Sequence, residues 1–242
     1  MKLILIRHGD PDYRNDSLTE QGEKEARLLA PRIPKLNAKE YYVSPLGRAQ
    51  RTAELAMEGL DEKPRTLWWL QEFNGPVRRL DSPDKDHVPW DWFPRDWTVV
   101  DELYQEDHWW EHPVFTNAGI REKHEAVIKE LDAFLDAHGY RREGRMYKAH
   151  APNNDTIVLF CHFGLTGLVL SHLMGVSPMI LWQGFISAPT SVTTVVTEER
   201  SEGEVQWRCT AFGDISHLYA ADTTPSFSGR FCECFMNEDE RH

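Results

Sequence analysis

Five residues of the chain carry side chains that could together transfer a phosphoryl group. They occur in four short stretches: Arg7 and His8 in LILIRHGD, Arg48 in SPLGRAQRTAELA, Glu72 in LQE and His162 in CHFG. Two arginines can bind phosphoryl oxygens through forked hydrogen bonds, one imidazole can attack phosphorus, and a second imidazole can hold a third oxygen. A carboxyl group is then needed to protonate the leaving oxygen. The sequence therefore contains the side chains for this chemistry.

The hydrophobic pattern predicts strands that alternate with helices along the chain. Such alternation is typical of a mainly parallel sheet covered by helices on both faces. We therefore expect an α/β protein, a three-layer α/β/α sandwich whose sheet gains an antiparallel edge from a C-terminal hairpin. The predicted strands are 2–6, 40–44, 65–70, 155–162 and the hairpin 191–212; the predicted helices lie within 17–33, 44–60, 118–138 and 164–175, and 142–155 is predicted as a polar loop.

The candidate residues fall at the ends of the predicted strands. His8 follows the first strand and His162 ends the strand 155–162, while Arg48 lies in the first turn of the second helix. Ser44 is expected to cap that helix, with Pro45 at its first position. Because ligands bind beyond the carboxyl ends of parallel strands, we expect these side chains to converge there.

A tryptophan-rich segment interrupts the alternation. Residues from about 73 to 113 show no clean periodicity, and seven of the nine tryptophans lie between Trp68 and Trp110. We interpret this segment as an insertion in a single domain that spans residues 1–242. Its aromatic residues either form a small core of their own or make a lid that packs on an apolar or ring-bearing substrate.

Composition limits the classes of partner. The formal net charge of −12 argues against a nucleic-acid or anionic-membrane surface, so a phosphate must be met by a local group of basic residues. The apolar run 3–6 is too short for a signal-peptide core, and no stretch reaches the length of a membrane span. We therefore expect a cytoplasmic protein that binds a phosphorylated small molecule, and homo-oligomerisation is left open.

The cysteines and histidines give little sign of a metal site. Four cysteines in 242 residues do not form a disulfide framework, and the lone C-x-C at Cys232 and Cys234 lacks a second pair. The eleven histidines show no H-E-x-x-H or similar spacing, and no Walker-type glycine loop is present. The sequence therefore predicts neither a metal nor a cofactor.

Several of these stretches also resemble the histidine phosphatase superfamily, which includes the cofactor-dependent phosphoglycerate mutases. The resemblance rests on LIRHG (5–9), SPLGRAQRTAELA (44–56), LQE (70–72) and CHFG (161–164). DSLTEQG after the first motif and GDISHL at 213–218 are also similar to that family. The resemblance covers the α/β body but not the tryptophan-rich insertion, and it implies a phosphoglycerate mutase-like fold.

The resemblance also implies a role for each candidate. His8 would become the transient phosphohistidine, Arg7, Arg48 and His162 would complete the phosphate pocket, and Glu72 would be the proton donor. Asp10, beside His8, is the alternative donor. Two departures from the family bear on substrate preference: Phe163 and a single glycine follow the second histidine, where two glycines are common, and Arg14 lies where many members carry asparagine. Arg14 is either a contact to the phosphate or a surface charge.

These observations favour a metal-independent phosphomonoester hydrolase that acts on a small phosphorylated metabolite. A phosphoglycerate mutase-type transferase is the alternative within the same chemistry, and it would have to exclude water from the phosphohistidine. DPDYRND after His8 does not resemble the longer mutase signature, which favours hydrolysis. A non-catalytic phosphate-binding module is the alternative from another class, although such a module has no use for a proton donor.

Overall fold

The computed structural model describes residues 1–79, 81–116 and 118–237. Regular elements alternate through these ranges, and four short 3-10 helices accompany them at Ala30–Leu36, Trp68–Leu70, Asp101–Tyr104 and Trp109–Glu111. The strands are β1 (Lys2–Arg7), β2 (Pro11–Asp12), β3 (Ser17–Leu18), β4 (Glu40–Val43), β5 (Arg65–Thr66), β6 (Tyr140–Glu143), β7 (Met146–Ala149), β8 (Thr156–Cys161), β9 (Val192–Ser201) and β10 (Glu204–Asp214). The α-helices are α1 (Glu20–Leu29), α2 (Gly47–Ala56), α3 (Pro94–Trp97), α4 (Pro113–Thr116), α5 (Ile120–Ala137), α6 (Phe163–Met174), α7 (Pro178–Gly184) and α8 (Ser216–Tyr219).

The main sheet is mixed and has the strand order β5-β4-β8-β1-β9-β10-β7-β6. Strands β5, β4, β8 and β1 pair in parallel, so their carboxyl ends lie at one edge. The remaining pairings are antiparallel, and the long hairpin β9–β10 joins β1 to the outer strands. The predicted parallel body and antiparallel hairpin are both confirmed, and the antiparallel part contains half of the strands.

Side-chain alternation along β1 divides the core into two layers. Leu3 and Leu5 pack into the hydrophobic cluster that contains the buried faces of α5 and α6. Ile4 and Ile6 belong to the opposite cluster, which contains residues of α1 and α2. Helices therefore cover both faces of the sheet, as expected for a three-layer α/β/α sandwich.

Two of the predicted elements were wrong in extent or kind. The strand predicted over 65–70 is limited to Arg65–Thr66, and the next residues form the 3-10 helix Trp68–Leu70, in which Trp69 and Leu70 are buried. The polar loop predicted over 142–155 instead contains most of the hairpin β6–β7. Burial of Tyr140 and Tyr147 on one face stabilises this hairpin, although its other face is strongly polar.

The starts and ends of the first two helices also differ from prediction. Helix α1 ends at Leu29 and continues as a 3-10 helix, because Pro31 and Pro34 cannot donate the hydrogen bonds of an α-helix. Ser44 does not cap the second helix: α2 begins at Gly47, and the Ser44 hydroxyl accepts a hydrogen bond from the backbone of Leu46.

The tryptophan-rich segment contains short helices joined by irregular chain. Its aromatic side chains are continuous with the core cluster on the α5 and α6 face of the sheet, where Trp92 and Trp109 pack with Phe73 and Trp182. Trp109 is fully buried and contacts the ring of Trp182 edge-on at 5.5 Å. This segment therefore shares the core of the α/β body.

Within the residues that the structure describes, no helix combines the length and the apolar character needed to cross a bilayer.

Candidate active site

The nucleophile candidate His8 lies directly after β1, at the carboxyl edge of the parallel strands. Its backbone N–H donates to Cys161 O in β8, and its carbonyl accepts from Thr190, so the residue is held from two sides. Its Nδ1 lies 2.7 Å from Gly9 O. Because a carbonyl oxygen only accepts, Nδ1 must carry the ring proton, and Nε2 is then left with its lone pair.

The surroundings of His8 favour the neutral form of its imidazole. Its side chain is buried, and this burial lowers the pKa of the imidazole well below the ordinary value, with further lowering by the positive charges of Arg7 and Arg48. A neutral imidazole whose Nε2 carries a free lone pair can attack an electrophilic phosphorus atom.

His162 lies opposite His8, with ring centroids 5.0 Å apart. It occupies the N-cap position of α6, but its side chain makes no capping hydrogen bond, and its Nε2 lies 2.7 Å from Ser44 Oγ. Its Nδ1 is buried and has no hydrogen-bond partner among the described residues. Burial, the neighbouring His8 and the two arginines lower the pKa of His162 well below its usual range.

Arg7 is 3% exposed and is held by backbone carbonyls. Its Nη1 donates to Ser187 O at 2.6 Å and to Ser228 O at 3.1 Å. The ring of Phe163 packs 5.9 Å from its guanidinium carbon. The Nε of Arg7 is buried without a partner in the described part of the chain, so this donor is available to an anion.

Arg48 lies in the first turn of α2, as the sequence predicted. Its Nη1 pairs with Asp16 Oδ1 at 2.6 Å, and Asp16 Oδ2 accepts the N–H of Gly47 at 2.7 Å, so one carboxylate holds both the arginine and the helix start. The Tyr13 ring lies 5.5 Å from the guanidinium carbon. The Arg48 Nε, like that of Arg7, is buried and unpaired among the described residues.

Glu72 follows the 3-10 helix Trp68–Leu70 and reaches the start of α6. Its Oε1 accepts the N–H of Leu165 at 3.0 Å and that of Phe73 at 2.9 Å. Since backbone donors hold Oε1, a proton on the carboxyl group belongs on Oε2. Burial raises the pKa of Glu72, against the opposing effects of the hydrogen bond from Leu165 and of the two arginines, and a raised pKa favours the acid form that a proton donor needs.

The remaining candidates are Asp10 and Arg14, and neither side chain has a contact with the other candidate residues among the hydrogen bonds and ion pairs of the described residues. The Asp10 Oδ2 accepts a hydrogen bond from the Thr19 hydroxyl at 2.7 Å, and Thr19 caps α1, so this carboxylate is engaged with the helix start. Arg14 is exposed between β2 and β3, where its backbone N–H donates to Asp12. No hydrogen bond or ion pair of the Arg14 guanidinium is found among the described residues.

Sequence reasoning overlooked the residues that hold the arginines and the second histidine. Ser44 and Asp16 lie within stretches that resemble the family, so a motif was present that could have pointed to them. Ser187 and Ser228 contribute backbone carbonyls, which no side-chain pattern reveals. In the described residues no three His, Cys, Asp or Glu side chains form a group that could hold a metal ion.

The arrangement can bind a tetrahedral anion next to a histidine. Three buried nitrogen atoms have no hydrogen-bond partner in the described part of the chain, the Nε atoms of Arg7 and Arg48 and the Nδ1 of His162, and they belong to residues that surround His8. Buried donors in native proteins nearly always have an acceptor, so a group of unpaired ones indicates the place of a ligand with several oxygens.

Known proteins are similar to this chain in sequence and in fold. The family model for the histidine phosphatase superfamily (branch 1) matches residues 3–210. A probable phosphatase of Schizosaccharomyces pombe is 23% identical over 239 residues, which cover 92% of this chain and 98% of that protein. A probable phosphoglycerate mutase of Cronobacter sakazakii is 37% identical over 68 residues, 24% of this chain and 32% of that protein. A solved structure of a phosphoserine phosphatase mutant from Entamoeba histolytica, in complex with phosphoserine, has a TM-score of 0.58 at 21% identity and covers 90% of this chain and 98% of that one. The predicted family resemblance and fold are confirmed.

Proposed function

The chain belongs to the histidine phosphatase superfamily, and we propose that it is a metal-independent phosphatase that hydrolyses phosphomonoesters of small metabolites through a phosphohistidine at His8. The observation that carries the proposal is the state of His8. It is buried, its Nδ1 proton is bound to Gly9 O, and it is flanked by two arginines whose Nε atoms have no partner among the residues that the structure describes. An oriented neutral imidazole beside an anion-binding group of donors is suited to nucleophilic attack on a bound phosphoryl group.

Binding comes first. The Nε atoms of Arg7 and Arg48 and the Nδ1–H of His162 donate to the nonbridging oxygens of the phosphoryl group. Because these donors are fixed and largely removed from water, they stabilise the charge that those oxygens carry in the transition state. Arg14, exposed beside Tyr13, is proposed as a further contact to the substrate.

The phosphoryl group is then transferred twice. In the first step a bond forms between His8 Nε2 and phosphorus, the bond to the ester oxygen breaks, and Glu72 gives its proton to that oxygen. In the second step the Glu72 carboxylate takes a proton from water, the water oxygen bonds to phosphorus, and the bond to His8 breaks. Inorganic phosphate leaves, and Glu72 is again protonated.

A trapping experiment tests this proposal. Brief incubation with a ³²P-labelled phosphomonoester, followed by denaturation in base, should leave label on the wild-type chain as phosphohistidine, and His8→Ala should take up none. Phosphate release should survive exhaustive chelation of divalent metals. Label on another residue, or loss of activity on chelation that a divalent ion restores, would contradict the mechanism.

The products separate this function from its alternatives. A phosphatase releases inorganic phosphate, whereas a mutase returns the phosphoryl group to another oxygen and yields an isomeric phosphomonoester. A non-catalytic module would bind phosphate or vanadate and give neither product. A mutase remains the second candidate, because part of the chain matches a probable phosphoglycerate mutase. That match covers 24% of this chain.

A further inference from the structure

An aromatic wall borders the proton donor. Trp90 lies so close to Gly164, at the start of α6, that a Cβ added to this glycine would meet Trp90 Cζ3 at 2.1 Å and Glu72 Oε1 at 2.8 Å. The indole ring and Oε1 of Glu72 therefore both lie close to Gly164. Any group that leaves from an oxygen protonated by Glu72 departs beside this ring.

Phe163 extends the wall toward the phosphate donors. Its ring contacts that of Trp90 edge-on, with centroids 5.6 Å apart, and lies 5.9 Å from the guanidinium carbon of Arg7. The two rings thus run from an arginine proposed to bind the phosphoryl group to the carboxyl proposed to protonate the leaving oxygen. Phe163, one of the sequence departures from the family, therefore contacts both Arg7 and Trp90.

Trp90 keeps accessible surface, unlike the two aromatic residues Phe163 and Trp182 against which its ring packs. Phe163, Trp182 and Trp109 are 5%, 4% and 0% exposed, whereas Trp90 is partly exposed. Its inner side packs on Trp182 at 5.8 Å. When an apolar ligand covers an accessible ring of this kind, apolar surface is removed from water, and this burial favours binding beside the carboxyl group.

The segment that carries Trp90 is anchored on both sides. The Trp90 carbonyl accepts a hydrogen bond from Gln183 in α7 at 2.7 Å. The next residue, Asp91, receives hydrogen bonds from Arg79 at 2.5 Å and from His87 at 2.6 Å. His87 is fixed in turn by Ser82 at 2.6 Å. A wall held this firmly is preorganised for a ligand.

We infer that the preferred substrate is a phosphomonoester whose alcohol carries an apolar ring or comparable hydrophobic group, and that Trp90, supported by Phe163, binds this group beside Glu72. This inference rests on the proposed function, since it places the leaving group at Glu72. It also gives the tryptophan-rich insertion a role in specificity.

Matched substrates test the inference. Propyl phosphate and 3-phenylpropyl phosphate both release primary alcohols of nearly equal basicity, so a difference in rate reports on the ring and not on the chemistry. Wild-type kcat/KM should favour the phenylpropyl ester on the order of tenfold or more. 3-Phosphoglycerate, with a carboxylate in place of the ring, should be a poor substrate.

Substitutions test whether Trp90 causes the preference for the phenylpropyl ester. Trp90→Ala should abolish most of the ring preference, mainly through a higher KM for the phenylpropyl ester, and Trp90→Phe should keep part of it. Trp97→Ala is the matched control: Trp97 is also a partly exposed tryptophan of the insertion, but it packs on Tyr104 at 5.2 Å, and its loss should leave the preference intact. Inhibition of the wild-type enzyme by propylphosphonate and 3-phenylpropylphosphonate gives the same comparison without a variant, and the phenyl compound should bind more tightly.

Equal kcat/KM for the two esters with equal inhibition by the two phosphonates, or a preference for 3-phosphoglycerate, would overturn the inference. So would an equal loss of activity toward both esters in Trp90→Ala. If one of these contrary results is obtained while phosphohistidine still forms at His8, only the inference on the substrate fails. If no ester in the panel labels His8 or releases phosphate, the proposed function fails first.

Discussion

The Ser44 hydroxyl lies 2.7 Å from Nε2 of His162, at a point where both side chains are fully buried. The same oxygen accepts the N–H of Leu46 at 3.2 Å. Because Ser44 Oγ already accepts this N–H, we assign its own hydroxyl proton to a hydrogen bond with Nε2, and His162 then carries its proton on Nδ1. This nitrogen has no partner among the described residues, and it would donate to a phosphoryl oxygen.

Ser44→Ala should therefore impair catalysis through His162. The substitution leaves Nε2 without its donor, so the ring can rotate or exchange its tautomer, and a misplaced donor of this kind lowers kcat by roughly 10- to 100-fold. Steady-state kinetics measure the loss, and ¹⁵N chemical shifts of the imidazole report the tautomer directly. Ser44→Thr, which keeps a hydroxyl, should restore most of the activity.

Ser171→Ala is the matched control for this prediction. Ser171 is also buried, but its hydroxyl bonds to Leu168 O within α6, so its loss should lower stability without changing the His162 tautomer. An unchanged ¹⁵N spectrum of His162 in Ser44→Ala would show that Ser44 does not set the tautomer.

The sequence predicted the strand ends well because local chemistry determines them. The apolar run before Arg7 and the one before His162 specify buried parallel strands, and parallel strands bring their carboxyl ends together. Arg48 could be placed because the helix that follows β4 begins close to where the pattern indicated. The strand ends and the start of the helix can be predicted because each depends on a few residues that are neighbours in the sequence.

The contacts that hold Arg7 and His162 in the site could not be predicted from the sequence. Ser228 O reaches Arg7 across 221 residues, and Ser44 reaches His162 across 118. A serine carbonyl in a segment without motif has no signature until the tertiary structure brings it to its partner. The hairpin β6–β7 was overlooked for a related reason, since its edge position leaves one face polar and weakens the strand pattern.

The segment after α8 should be needed to hold Arg7. Ser226 N–H donates to Glu25 at 2.9 Å and Ser228 O accepts from Arg7 at 3.1 Å, so this segment closes over one side of the site. A Cβ at Gly229 would lie 2.4 Å from Arg7 Nη1. Gly229→Ala should displace the guanidinium and lower kcat/KM for all phosphomonoesters by roughly 10²-fold.

Gly144→Ala separates this effect from backbone strain. Both glycines have positive φ, +91° and +64°, but a Cβ at Gly144 would meet nothing within 4 Å. The control should lose some stability and keep its kcat/KM, whereas Gly229→Ala should weaken inhibition by vanadate as well. Equal kinetic losses in the two variants would assign the effect to strain alone.

The pH dependence should reflect His8 and Glu72 with opposite signs. Burial lowers the pKa of His8 from its ordinary 6.5, so the neutral nucleophile persists as the pH falls below that value. Burial raises the pKa of Glu72 from its ordinary 4.5, so the proton donor persists above that value and is lost as the pH rises further. For an alkyl phosphate, the rate of phosphorylation of His8, measured in a single turnover, should therefore fall as the pH rises and Glu72 loses its proton. A rate that rises through neutrality toward alkaline pH would contradict the assignment of Glu72 as the acid.

The last prediction separates the two steps in which Glu72 takes part. General acid catalysis contributes roughly 10²- to 10⁴-fold, and only where the leaving oxygen is basic enough to need a proton. Glu72→Gln should therefore slow phosphorylation of His8 strongly with propyl phosphate and very little with p-nitrophenyl phosphate, whose nitrophenolate leaves unaided. Dephosphorylation, in which the carboxylate activates water, should be slow with either substrate. Rapid mixing with the aryl ester should show a burst of nitrophenol, and phosphohistidine should accumulate. Asp10→Asn is the control, because its carboxylate is bound to Thr19 at the start of α1. If Asp10→Asn gave the burst and Glu72→Gln did not, the proton donor would be Asp10.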